Sequence, residues 1–159
     1  MTCISIERHR RMMLIDSFVA PSQIEGVGIF ASQPVRQGQA IWRFDPLFDI
    51  MLTRRQLECL THVQRAYVER YGYPHMRRPG VTVLESDNGR FMNHDDDPNT
   101  VFTDPDIGYA RRDIAAGEEL TCDYGEFDPA FRMMPGRLFV GETRVLLNGS
   151  VGDDRPLQP

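Results

Sequence analysis

The segment from Asp87 to Asn99 constrains the fold of this chain more than any other part of the sequence. It consists of Asp-Asn-Gly-Arg-Phe-Met-Asn-His-Asp-Asp-Asp-Pro-Asn, so amides, an imidazole and three consecutive carboxylates surround two apolar residues. Turn chemistry explains Asn88 and Gly89, because both residue types tolerate positive φ. It does not explain the run from Arg90 to His94, in which polar groups directly follow residues that favour burial. Buried polar groups need hydrogen-bond partners, so we expect either the protein or a ligand to supply them here.

A second segment, Gly117–Gly125, predicts a strand that delivers Tyr124 to a glycine turn. Together the two segments resemble the signature of the SET-domain protein-lysine methyltransferases. That family carries Arg-Phe-x-Asn-His followed by Pro-Asn, which Arg90–His94 and Pro98–Asn99 match. It then carries Gly-Glu-Glu-Leu-Thr-x-Asp-Tyr, which the second segment matches with Cys122 at the open position. The resemblance covers roughly residues 12 to 130.

Composition indicates one compact domain with a basic protein partner. The chain has 159 residues, of which 41% are hydrophobic, enough for a real core. A formal net charge of −5 argues against direct nucleic-acid binding and favours a basic peptide. All 18 Lys and Arg residues are arginines, so a lysine methyltransferase with this sequence could not methylate its own side chains.

Cysteine usage predicts a reducing compartment, and we expect the cytoplasm. Cys3, Cys59 and Cys122 are odd in number and far apart, so they predict neither a disulfide framework nor a zinc site. No apolar run approaches membrane-spanning length, and we expect no membrane association.

Hydrophobic patterning predicts a mostly β domain with one main helix. Residues 53–71 have helical spacing, with Thr53 as N-cap and Gly72 at the C-terminal end. Strands are predicted at residues 12–20, 26–31, 38–44, 81–84, 100–103, 109–114 and 119–123. The predicted organisation is a leader (1–11), the domain itself (12–131), a flanking segment (132–147) and a flexible tail (148–159).

The resemblance goes further than the patterning and implies the SET fold, also called a β-clip. In this fold small sheets surround a knot-like crossing that threads the two motif segments together. Pattern reasoning alone would not have proposed such a crossing, since protein chains rarely thread through their own loops.

The resemblance also implies S-adenosylmethionine as cofactor and Tyr124 as the catalytic residue, with its hydroxyl beside the transferred methyl group. Asn93 would bond the methionine part of the cofactor, and the His94 backbone would face the adenine. Arg90 would either fix its own segment or stack near the adenine. The full cofactor-binding set implied is Gly26, Val27, Gly28, Arg90, Asn93, His94 and Tyr124. Structural alternatives are a tyrosine that fills a strand end, an Asn-His turn and a plain glycine turn.

Lysine methylation requires a neutral amine, although free lysine has a pKa near 10.4. We therefore expect a dry channel that disfavours the ammonium form. The expected substrate-binding residues are Cys122, Phe127, Phe131 and Tyr109. Trp42 and Phe44 are further candidates, for which ordinary core positions are slightly favoured. In the family, the position of Cys122 influences how many methyl groups are added.

We expect no metal site. Many family members bind zinc through a cysteine cluster that follows the catalytic tyrosine, but no cysteine follows Cys122 here. Aromatic residues between 127 and 139, or a partner subunit in a homodimer, would replace that cluster. Asp95, Asp96 and Asp97 are adjacent, unlike the alternating carboxylates of calcium loops, and predict a solvated loop.

The predicted function is therefore S-adenosylmethionine-dependent methyl transfer to lysine side chains of a protein substrate. One alternative is a SET-fold module that binds cofactor or peptide without turnover. Another is a β-rich scaffold in which the motifs are coincidental.

Overall fold

The computed structural model describes residues 12–129, 131–134, 137–140 and 143–146. Within these residues, short strands form five small sheets, and two α-helices accompany them. The strands are β1 (Met12–Met13), β2 (Ser17–Pro21), β3 (Val27–Ala31), β4 (Ala40–Arg43), β5 (Ile50–Thr53), β6 (Gly72–Pro74), β7 (Val81–Leu84), β8 (Asn93–His94), β9 (Thr100–Asp104), β10 (Ile107–Ala110), β11 (Thr121–Cys122), β12 (Arg132–Met134), β13 (Arg137–Val140) and β14 (Thr143–Leu146). The helices are α1 (Arg54–Glu58) and α2 (His62–Tyr71).

The sheets are small and mostly antiparallel. The four-stranded sheet has the order β1-β4-β10-β9, and a hairpin of β2 and β3 lies apart from it. A third sheet, β5-β7-β6, carries both helices in the connection between β5 and β6. A fourth, β12-β13-β14, occupies the flanking segment. These features and the structural matches reported below confirm the predicted fold class.

The remaining sheet is the crossing that brings the two motifs together. β8 and β11 pair in parallel, with Asn93 opposite Thr121 and His94 opposite Cys122. Asn99 braces this pair, because its Nδ2 donates to the Glu119 carbonyl at 2.7 Å and its Oδ1 accepts from the Thr121 N–H at 2.9 Å. A buried hydrogen bond from backbone to side chain thus connects Thr121 and Asn99, which are 22 positions apart in the chain.

The core lies between the four-stranded sheet and the crossing. Fully buried side chains include Ile29, Ile41, Trp42, Ile114 and Leu120. Isolated bridges, Phe30 to Glu119 and Val35 to Ile114, connect β3 and the following loop to the segment that leads into β11. The core therefore holds the second motif rigidly from one side.

The prediction of a single helix over residues 53–71 is wrong in one respect, because the structure has two helices in this region. Thr53 caps α1 as predicted, in a capping box with Gln56. Thr61 forms a second capping box with Gln64, and this new N-terminus interrupts the helix at residues 59–61. Gly72 ends α2 with φ −92°, so it is extended and starts β6 rather than adopting a left-handed cap.

Sequence patterning also placed strands imperfectly. The predicted strand 12–20 is divided into β1 and β2, and six strands of the described residues, β5, β6, β8 and β12 to β14, were not predicted. β6 consists of Gly-Tyr-Pro, which has no strand signal, and it is extended because it pairs with β7. The leader 1–11 and the tail 148–159 lie outside the described residues.

In the described part of the chain, neither helix is long and apolar enough to cross a membrane.

Candidate active site

The crossing opens into a cavity of about 730 Å³, a volume that includes its mouth. Aromatic side chains form much of the lining, including Trp42, Tyr71, Tyr73, Tyr124, Phe127 and Phe131. Cys122 and Met92 add apolar surface from the two paired strands. This apolar part of the lining disfavours charge, as the predicted lysine channel requires, although Arg70, Arg90, Glu85 and Asp128 also line the cavity.

Tyr124 stands at the end of β11, in a 3-10 turn that spans Tyr124–Glu126. Asp123 fixes this turn, since its Oδ1 accepts from the Gly125 N–H at 2.7 Å. The Tyr124 hydroxyl donates to the Met92 carbonyl at 2.9 Å, across the crossing. Burial raises the pKa of Tyr124 well above its ordinary value, and the nearby Cys122 raises it further. The hydroxyl therefore stays protonated and cannot act as a base at neutral pH.

His94 is a buried packing and hydrogen-bonding residue. Its Nδ1 accepts from the Tyr124 N–H at 3.1 Å, and its Nε2 lies 3.2 Å from Asp96 Oδ1. Its ring packs edge-on against Phe131, with centroids 4.8 Å apart. The side chain thus positions the tyrosine turn, while the contact of the His94 backbone with the adenine stays a prediction.

Asn93 ties the first motif to the glycine loop. Its Nδ2 donates to the carbonyls of Glu25 and Val27, each at 3.2 Å, and to Glu119 Oε1 at 2.8 Å. Glu119 was missed as a site residue, although it lies inside the second motif. Its carboxylate also fills the space where a β-carbon of Gly28 would lie, so a larger residue there would have to displace Glu119.

A second, smaller pocket adjoins the cavity, with an empty volume of about 370 Å³. Four predicted cofactor residues lie together on its lining, namely Val27, Arg90, Asn93 and Tyr124. Gly26 adopts φ 52°, a left-handed conformation that suits glycine, in the loop beside this pocket. Tyr124 lines both spaces and so stands at their junction.

Two cations face this junction. Arg70, on α2, forms an ion pair with Glu25 of the glycine loop and lines both spaces. Arg90 donates to the Ser86 carbonyl at 3.2 Å and lies over the Phe91 ring at 4.7 Å. These contacts agree with the interpretation that Arg90 fixes its own segment. Arg70 was not identified from the sequence.

The predicted substrate residues divide into two groups. Cys122, Phe127 and Phe131 line the cavity, and the Phe127 ring packs at a tilt of 55° against Tyr73, with centroids 4.8 Å apart. Tyr109 lies on β10 and does not line the cavity. Trp42 is both core and cavity wall, whereas Phe44 packs against the core outside the cavity.

Glu85 is a third residue that the sequence analysis did not identify, after Glu119 and Arg70. It is only 8% exposed and lines the cavity, and the Tyr73 hydroxyl donates to its Oε1 at 2.9 Å. Burial, and then the charge of Asp87, raise the pKa of Glu85 to about 8. The available signal was a carboxylate that directly follows the apolar strand β7 and precedes the first motif.

The three adjacent aspartates form an exposed, ion-paired loop. Asp97 Oδ1 lies 3.1 Å from Arg111 Nη1, and Asp95 Oδ1 accepts from the Asp97 N–H at 2.9 Å. Among the described residues, no group of three or more His, Cys, Asp or Glu side chains could hold a metal ion.

Comparison with known proteins agrees with this geometry. A family model described as SET domain matches residues 26–125. The Candida albicans protein "Histone-lysine N-methyltransferase, H3 lysine-36 specific" is 25% identical over 125 residues, covering 67% of this chain and 13% of that protein. This chain therefore spans only a small part of the length of that relative.

Solved structures share the fold. A humanized mutant of the Chaetomium thermophilum Polycomb Repressive Complex 2, bound to an inhibitor, is 21% identical with a TM-score of 0.54, and the match covers 91% of this chain and 20% of that one. The structure of ctPRC2 in an autoinhibited conformation bound to S-adenosylmethionine is 21% identical with a TM-score of 0.56, covering 72% and 16%. Because the matching family model covers well over half of the 159 residues and includes both motifs, the chain belongs to the SET-domain family.

Proposed function

We propose that this protein is an S-adenosylmethionine-dependent protein-lysine methyltransferase. The observation that carries the proposal is the position of Tyr124 at the junction of two spaces with different chemistry. The larger space has a mostly aromatic and apolar lining, which also includes Arg70, Arg90, Glu85 and Asp128, and it suits the aliphatic stem of a lysine. The other is lined by amide, guanidinium and carboxylate groups and suits a charged cofactor.

The residues of the smaller pocket fit S-adenosylmethionine. Arg70 and Glu25, which form an ion pair with each other, would be partners for its carboxylate and its ammonium group respectively. Asn93 would hold the same amino-acid end, while Phe91 and Arg90 offer planar groups for the adenine. When bound, this cofactor supplies a methyl group activated by a sulfonium.

The chain's own residues would select and orient the amine. The aromatic lining disfavours an ammonium ion and so lowers the cost of presenting a neutral nitrogen. The Tyr124 hydroxyl donates its hydrogen to Met92, which leaves its oxygen lone pairs available to an N–H group of the substrate. A bond of this kind would aim the nitrogen lone pair along the in-line path.

The substrate class follows from charge and from the relative. A net charge of −5 favours a basic protein partner. The name of the Candida albicans relative specifies a histone lysine, and a lysine on a basic protein is the corresponding proposal here. A cytoplasmic location and a homodimer stay predictions from the sequence.

The experiment is incubation of the purified protein with methyl-labelled S-adenosylmethionine and either core histones or a lysate from the source organism. We expect labelled lysine in a protein band and release of S-adenosylhomocysteine. Because the chain contains no lysine, labelled side-chain lysine cannot derive from the enzyme itself. Cofactor binding without product release would instead identify a binding module, and absence of cofactor binding would contradict the cofactor site.

A further inference from the structure

The methyltransferase proposal leaves one buried acid in the cavity without a role. Glu85 is buried at the end of β7, and one of its carboxylate oxygens accepts a hydrogen bond from Tyr73. The other, Oε2, lies next to Gly89, where an added β-carbon would overlap it. An acid buried among aromatic side chains is costly, so its presence needs an explanation.

Polar groups of this part of the cavity are incompletely satisfied. Trp42 is 1% exposed and lines the same cavity, and its Nε1 has no hydrogen-bond partner among the described residues. Trp42 Cδ1 and Glu85 Oε2 both approach the position that a β-carbon of Gly89 would take. An acid and an unpaired donor therefore lie together where an occupant of the cavity could meet them.

Glu85 lines the same cavity as Cys122 and Tyr124, the residues that would surround the amine. Burial raises the pKa values of Cys122 and Tyr124, and the charge of Glu85 raises both further. Cys122, a small side chain, lies on the cavity lining together with the acid and the tyrosine. In the family that the sequence resembles, the residue at the position of Cys122 influences how many methyl groups are added.

We propose that Glu85 binds the side-chain nitrogen of the substrate lysine and accepts the proton that this nitrogen must lose before methylation. The inference rests on the proposed function. In the step, the ammonium transfers one proton to the carboxylate, giving a neutral amine and a carboxylic acid. The amine lone pair then forms the N–CH₃ bond while the S–CH₃ bond of the sulfonium donor breaks, and the bonding electrons stay on sulfur. Release of the Glu85 proton to solvent restores the carboxylate.

The raised pKa of Glu85, about 8, supports this role, because a carboxyl group of ordinary pKa is a much weaker base. Tyr73 is a positioning residue, and its hydrogen bond lowers the pKa of Glu85. Asp49 and Asp87 raise that pKa, and Arg90 lowers it. The other titratable or charged groups near the acid, or on the same cavity lining, are Cys122, Tyr124, Tyr71, Arg70 and Asp128.

The test measures single-turnover methyl transfer from pH 6 to pH 10, with saturating S-adenosylmethionine and a peptide library in which each peptide has one central lysine. We expect the wild-type rate to rise with pH and level off above about 8. Glu85→Gln should be slower by about a hundredfold or more at pH 7.5. Its rate should then rise about tenfold per pH unit towards pH 10, as free amine becomes available.

Tyr73→Phe removes the hydrogen bond that lowers the pKa of Glu85, so its rate should level off at a higher pH than that of the wild type. Glu58→Gln, an exposed change on α1, serves as the matched control and should retain the wild-type profile. Calorimetry of cofactor binding shows whether each variant is folded. If Glu85→Gln fails to fold, the pH at which the Tyr73→Phe rate levels off decides whether Glu85 accepts the proton.

A Glu85→Gln profile parallel to that of the wild type would overturn the inference while leaving the methyltransferase proposal intact. So would a Tyr73→Phe variant whose rate levels off at the wild-type pH. Absence of methyl transfer by the wild-type protein would overturn both.

Discussion

Two walls of the cavity differ in how they are held. The crossing wall consists of Met92, Cys122, Tyr124 and Phe127, and the helical wall consists of Arg70, Tyr71, Tyr73 and Glu85. A buried parallel strand pair and the Asn99 amide brace the crossing wall from within the core. The helical wall follows α2 and a three-stranded sheet, in which only Val68, Val83 and Leu84 are buried apolar residues.

The two walls also differ in charge. The side chains of the crossing wall are neutral, since Tyr124 donates its hydroxyl hydrogen to the Met92 carbonyl and burial keeps Cys122 a protonated thiol by raising its pKa. The helical wall presents ionisable groups, including Arg70 and the buried Glu85. A rigid neutral wall suits the placement of reacting atoms, and a charged, less deeply packed wall suits recognition and proton transfer.

The largest expected effect concerns the stability cost of the charged wall. Glu85 has a pKa of about 8 in the folded protein against an ordinary value of 4.5, so the folded state binds a proton that the unfolded state releases. Its contribution to stability is present below pH 4.5 and is lost as pH rises to about 8. This loss corresponds to roughly 5 kcal/mol at about 1.4 kcal/mol per pH unit.

Glu85→Gln should remove this part of the pH dependence, and urea unfolding between pH 5 and pH 9 measures it. Asp49 and Glu126 also have raised pKa values, so both proteins should still lose some stability as pH rises above the ordinary pKa values of these two groups. The difference between the two curves isolates Glu85. Parallel curves for wild type and variant would show that Glu85 is ionised in the folded protein without cost.

A change in the crossing wall tests placement rather than charge. Tyr124→Phe keeps the ring between His94 and Phe131 but loses the hydroxyl that donates to the Met92 carbonyl. We expect kcat to fall roughly a hundredfold with little change in cofactor affinity. Single-turnover methylation measures the rate, and Tyr109→Phe, outside the cavity, should match the wild type. A Tyr124→Phe rate equal to that of the wild type would remove Tyr124 from the chemistry.

A substitution of Asn93 tests the smaller pocket, which this residue lines. Asn93→Ala leaves a charged cofactor group without a partner and releases the bonds to Glu25, Val27 and Glu119. The expected cost is about 1.5–3 kcal/mol, or a roughly tenfold to hundredfold weaker affinity. Isothermal titration with S-adenosylmethionine measures it, with the exposed turn change Asn88→Ala as control. Unchanged affinity in a folded Asn93→Ala protein would contradict the cofactor contact.

The two walls were also unequally predictable. Both motif segments carry unusual polar residues at fixed spacing, so the resemblance anticipated the crossing and placed Asn93, Cys122 and Tyr124 near one cavity. Local patterning could not have shown this, because the pairing joins residues that are distant in the chain.

The helical wall has no comparable signal. Tyr73 lies in Gly-Tyr-Pro, which is extended only through its pairing with β7. A glutamate after an apolar strand usually marks the exposed strand end, and only tertiary packing buries Glu85. Helical spacing likewise continued through residues 59–61, although the Thr61 capping box divides the helix there.

The smallest expected effect concerns Cys122, where the two walls meet. In the family that the sequence resembles, a tyrosine at this position restrains the addition of further methyl groups, and a phenylalanine permits it. Cys122 is 4% exposed, and its pKa is raised by burial and then by Glu85, so it is a neutral and weakly donating thiol. Each added methyl group needs a volume comparable to that of a water, about 30 Å³ in the liquid.

We expect the wild type to proceed beyond one methyl group and Cys122→Tyr to restrain it. A competing hydrogen bond is worth about 0.5–1.5 kcal/mol, enough to change later rates up to roughly tenfold. Mass spectrometry of a peptide with excess cofactor gives the product distribution, and Cys59→Tyr, at an exposed free cysteine, is the matched control. A wild type that stops at one methyl, with the same products from a folded Cys122→Tyr protein, would assign the control elsewhere. Since Tyr73 and Glu85 line the same cavity as Cys122, that result would direct attention to the helical wall.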